Sequence, residues 1–86
     1  MDDLAKNAVT KALFDRKQNP KGKNLDRQKP PRENFVVIKT SVDRKIAALC
    51  GRKLNERVEF TQEQLDLAES RLSELVEEAV LEALNG

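Results

Sequence analysis

The sequence predicts a mainly α-helical protein: a short N-terminal helix, a flexible basic linker, one short strand, a short helix and a long C-terminal amphipathic helix, completed by dimerisation. Three observations carry this expectation. Apolar residues recur at helical spacing over residues 60–84 and, more weakly, over 2–17. Charged residues are 36% of the 86-residue chain and aromatics 3%, which leaves little material for a core built by one copy. A single run, residues 35–40, reads as a strand, and a lone strand cannot satisfy its own ladder of hydrogen bonds. The expected organisation is an N-terminal helix over 1–17, a linker over 18–34 and a strand–helix–helix domain over 35–86.

In the first helix Leu4, Ala5, Ala8, Val9, Ala12 and Leu13 make an apolar stripe. Asp2 and Asp3 suit the positive end of its dipole, and Arg16 and Lys17 suit the negative end. About four turns of weakly apolar helix are marginal alone, so this helix has to dock on something.

Residues 18–34 read QNPKGKNLDRQKPPREN. One apolar residue, Leu25, stands among three prolines, a glycine and many charges, which is the composition of a linker or disordered arm. Lys21, Lys23, Arg27, Lys29 and Arg32, with Arg16 and Lys17 upstream, make it cationic. These seven residues are the candidate partner-binding set.

Residues 35–40, FVVIKT, favour a strand because four apolar residues, two of them valines, run together. A second helix is expected over 41–50, capped by Thr40 or Ser41, with Val42, Ile46, Leu49 and Cys50 facing inward and Gly51 closing it. Asn55 to Glu59 form the expected turn into the long helix. There Thr61 and Gln64 have the spacing of a capping box, and Phe60 and Leu65 that of a hydrophobic staple. Leu65, Ala68, Leu72, Leu75, Val76, Ala79, Val80, Ala83 and Leu84 share one face, and Asn85-Gly86 closes the helix. Phe35, Val37, Leu65, Leu72, Leu75, Val76 and Ala79 are the expected self-association residues of a homodimer.

The order strand, helix, helix invites comparison with ribbon-helix-helix repressors, and SRLSELVEEAVLEAL resembles their second helix. The ribbon departs from that pattern. Phe35 and Val37 share a face with Lys39, and Val36 and Ile38 share the other with Thr40, so neither face is free to read a groove. The chain is therefore assigned to no family.

The net charge of +1 conceals a split. Residues 1–57 carry 15 Lys/Arg against 7 Asp/Glu, or +8, and residues 58–86 carry 1 against 8, or −7. Such asymmetry implies an anionic counterpart for the basic half: nucleic acid, an acidic protein, or the chain's own helix. Histidine is absent, which removes the usual general base and metal ligand. The one cysteine, Cys50, stands on an apolar stripe and has no second thiol for a metal or redox pair. No catalytic residue, cofactor or metal is expected. No run is long and apolar enough to span a bilayer, and the acidic start lacks a secretory h-region, so a cytoplasmic protein is expected. Two functions fit. One is a small non-enzymatic regulator or adaptor whose basic arm contacts an acidic partner. The other is a dimeric DNA-binding regulator whose arm contacts phosphates.

Overall fold

Three helices pack against one another in the computed structural model of the chain, which describes residues 2–51 and 61–85. Helix α1 covers Asp2–Asp15, α2 covers Asn34–Leu49 and α3 covers Gln62–Asn85. Each touches both of the others. The expected turn at 55–59, the Phe60 half of the staple and Gly86 lie outside the described residues.

Helix α1 buries Ala5, Val9, Ala12 and Leu13, as the stripe requires, while Leu4 stays exposed. Its end is a glycine-type closure made without glycine. Lys17 takes a left-handed φ of 59°. Its N–H donates to the Phe14 carbonyl at 3.0 Å, and the Gln18 N–H reaches back to Leu13 at 2.8 Å. That is the paired bonding of a Schellman motif, which satisfies carbonyls the helix leaves open.

Helix α2 corrects the expected strand. Residues 35–40 are its first turns, and no strand exists among the described residues. Ile38, Val42 and Ile46 recur every fourth residue and are buried, so one stripe runs through both the expected strand and the expected second helix. The other apolar residues of the run leave that stripe: Val36 is exposed, and Phe35 and Val37 are half-buried. A four-residue apolar run does not by itself distinguish strand from helix. The helix wins because it satisfies its own backbone polar groups, whereas the strand would need a second chain. Thr40 and Ser41 are therefore interior residues, not caps. At the far end the Gly51 N–H bonds the Ala48 carbonyl at 3.1 Å and Gly51 has a φ of 69°, the expected glycine closure.

Helix α3 begins with the expected capping box. The Gln64 N–H donates to Thr61 Oγ1 at 3.2 Å, and the Thr61 N–H donates to Gln64 Oε1 at 2.9 Å. With 24 residues the helix spans roughly 36 Å at 1.5 Å per residue, matching the 35 Å long axis of the molecule. Its buried residues are Ala68, Leu72, Val76, Ala79 and Val80. Leu72, Val76 and Ala79, expected at a self-association face, thus face α1 and α2 within one chain, and Phe35, Val37, Leu65 and Leu75 are half-buried. The lone strand, one of the reasons to expect a second copy, is absent among the described residues. No described helix is long and apolar enough to cross a membrane.

Candidate interaction surface

The segment joining α1 to α2 was expected to be a flexible basic linker. It is instead a loop stitched together around one residue. Asn34, the first residue of α2, has no solvent exposure. Its Nδ2 donates to the Asn19 carbonyl at 2.9 Å and to Asn24 Oδ1 at 2.6 Å, and its Oδ1 accepts the Leu25 N–H at 3.0 Å. Loop carbonyls in turn cap the helix: the Asn34 N–H donates to Gly22 at 2.6 Å and the Phe35 N–H to Pro20 at 2.8 Å. Glu33 precedes the helix but provides no side-chain cap. The orphan donors of a helix start need partners, and here the loop provides them. Leu25, the one apolar residue of the loop, packs against the core.

A second knot forms further along. Asp26 Oδ1 accepts the Gln28 N–H at 2.8 Å, while Oδ2 accepts the Arg32 N–H at 2.8 Å and Nε at 2.7 Å. The Gln28 bond is the i to i+2 contact of an Asx turn. These contacts favour the ionised carboxylate. The Gln28 backbone bond, then the Arg32 side chain and the Arg32 backbone, hold Asp26 below the ordinary carboxylate range.

The loop divides the seven candidate cations. Arg16 pairs with Glu77 of α3 and Arg32 with Asp26, so both are held within the chain. Lys17, Lys21, Lys23, Arg27 and Lys29 are exposed, and no ion pair among the described residues uses them. Over residues 16–32 the balance is seven Lys/Arg against one Asp, or +6. Among the described residues, the chain's acidic helix pairs with this set only through Glu77. Lys45 of α2 also reaches this helix: it donates to Glu82 at 2.6 Å and lies 3.7 Å from Glu78. The bond to Glu82 raises the Lys45 pKa above its ordinary value, against partial desolvation, with the charges of Glu82 and Glu78 adding to the rise.

Beside the loop, α1 and α3 enclose a groove of about 390 Å³. Ala8, Ala12, Leu72 and Val76 supply its apolar lining, and the Arg16–Glu77 pair is part of its wall. Lys11, Asp15, Glu69 and Ser73 supply the rest of its lining. Among the described residues no group of His, Cys, Asp and Glu could hold a metal ion. Cys50 is half-buried, with its Sγ 3.8 Å from the Gln64 carbonyl.

Two kinds of residue escaped the sequence reading. Asn19, Asn24, Asn34 and Asp26 organise the loop, and their signal was the recurrence of turn-forming side chains between the prolines and lysines. The other is Phe14, in the last turn of α1, which is 63% exposed. Comparison with protein-family models, curated proteins and solved structures gives no match to this chain.

Proposed function

We propose that the protein is a small non-enzymatic regulator or adaptor that acts by protein–protein interaction, holding an acidic partner on the cationic end of the bundle. The observation that carries this reading is the set of five exposed, unpaired cations on a loop whose own carboxylate is already committed. A loop ordered by its own hydrogen bonds loses less conformational freedom on binding than a disordered arm. Charge of one sign, held apart from the acidic helix, speeds encounter with an opposite surface and rejects like-charged ones. The single chain is the binding unit in this reading, because its helical stripes already cover one another. This reading does not require dimerisation.

The test replaces Lys17 with Asn, which tolerates a left-handed φ, and Lys21, Lys23, Arg27 and Lys29 with Ser. All five side chains are exposed, so the thermal melt should hold while capture of the partner from the native host is lost. Capture that persists with the five charges removed refutes the proposal. The alternative reading, phosphate contacts to nucleic acid, is favoured by the same cations. It predicts duplex binding that falls log-linearly with salt by several units and shows little sequence preference. The helical state of residues 35–40 offers that alternative no ribbon for a groove.

A further inference from the structure

Phe14 stands at the cationic end without a structural reason to be aromatic. It lies on the side of α1 away from Ala5, Val9 and Ala12, and it is the most exposed of the large apolar side chains among the described residues. Exposed Lys11 and Lys17 lie three residues to either side. For Lys11, inside the helix, that is the spacing at which side chains neighbour one another, whereas Lys17 lies beyond Asp15, the last helical residue. Lys17 is also tied to Phe14 through its N–H bond to the Phe14 carbonyl. An apolar centre with a charged rim is the anatomy of a protein-recognition patch, and buried aromatics carry much of the affinity in such patches.

We infer that Phe14 is the apolar anchor of this surface, and that the partner it fits is an acidic protein segment bearing an apolar side chain. Lys11 neighbours the ring, and Lys17, Lys21, Lys23 and Arg27 take the carboxylates. Charge complementarity selects the acidic segment, given the +6 balance over residues 16–32. A single-stranded nucleic acid fits less well, because such strands stack successive bases on several aromatics. Here Phe14 is the one exposed aromatic among the described residues, and Phe35 is packed against the core.

The inference rests on the cationic-end reading, and the experiment separates the two. The full chain and its Phe14→Ala variant are titrated by fluorescence anisotropy with three labelled probes: a Glu/Leu peptide, an all-Glu peptide of equal length and an oligothymidylate. The Glu/Leu peptide should bind more tightly than the all-Glu one. Phe14→Ala should weaken the first about tenfold and leave the second unchanged. An unchanged thermal melt checks that the variant is folded. Equal binding of both peptides, or equal loss of both on Phe14→Ala, overturns the anchor while leaving the cationic reading standing. Absence of binding to either peptide overturns both. Tightest binding to the oligothymidylate, lost on Phe14→Ala, transfers the surface to single-stranded nucleic acid and also overturns the proposal.

Discussion

Asn34 donates two side-chain hydrogen bonds and accepts one with no exposure to solvent. Buried polar groups left without partners cost about 1–3 kcal/mol each, more than the bonds gain when made. Asn34→Ala orphans the Leu25 N–H and removes the donor to the Asn19 carbonyl and to Asn24 Oδ1, so it should destabilise the protein by about 3 kcal/mol in urea unfolding. Asn34→Asp is the informative companion. It can still accept from Leu25 but cannot donate to the Asn19 carbonyl or Asn24 Oδ1, so it should be at least as damaging. A loss below about 1 kcal/mol for both would mean that the loop closes without this residue. Gly22 belongs to the same knot: a Cβ there would come within 3.2 Å of Asn34 Nδ2 and of the Asn19 carbonyl.

At the scale of elements, the continuity of α2 is the feature most open to test. Its interior includes Ser41, which a strand followed by a helix would place at the helix start. Proline is tolerated at a first helical position but costs about 3 kcal/mol or more in a helix interior, where it removes an N–H and crowds the preceding turn. Ser41→Pro should therefore lower stability by at least about 3 kcal/mol. Backbone chemical shifts of residues 35–40 in the parent protein should be helical. A near-neutral Ser41→Pro would restore the strand. Helix α3 differs in kind, since the Thr61–Gln64 box fixes its start locally and its stripe needs no register choice.

For the molecule as a whole, two ionic contacts set opposite limbs of the pH dependence. Asp26 has a folded pKa below its ordinary 3.8. Its contribution is complete above that ordinary value and is lost as pH falls below it, through the depressed folded value. Lys45 joins α2 to α3 and has a folded pKa above its ordinary 10.5. Its contribution is complete below 10.5 and is lost as pH rises through the raised folded value. Melting temperature should thus be flat at neutral pH with a shoulder at each extreme. Asp26→Asn should flatten only the acid shoulder and Lys45→Met only the alkaline one. Both shifts should be small, because exposed pairs contribute little and are screened by salt. A change on the wrong limb would show that other groups set the profile.

Local chemistry wrote much of this fold into the sequence. The α1 and α3 stripes, the Thr61 capping box, the Gly51 closure and the cationic character of residues 16–32 follow from side-chain spacing, turn preference and charge. They hold because each is settled within a few residues. Tertiary structure decided what those residues could not. FVVIKT became helix because Ile38, Val42 and Ile46 find the core formed by α1 and α3, an environment a short apolar run does not specify. Leu72, Val76 and Ala79 turned inward because α1 and α2 of the same chain cover them. The basic segment became an ordered loop because Asn34, fixed at the head of α2, is placed within reach of Asn19, Asn24 and Leu25, ten and more residues back along the chain for the first two. Which cations remain free was decided the same way. Glu77 reaches Arg16 only once α3 lies against α1, and Asp26 reaches Arg32 only once the loop has closed.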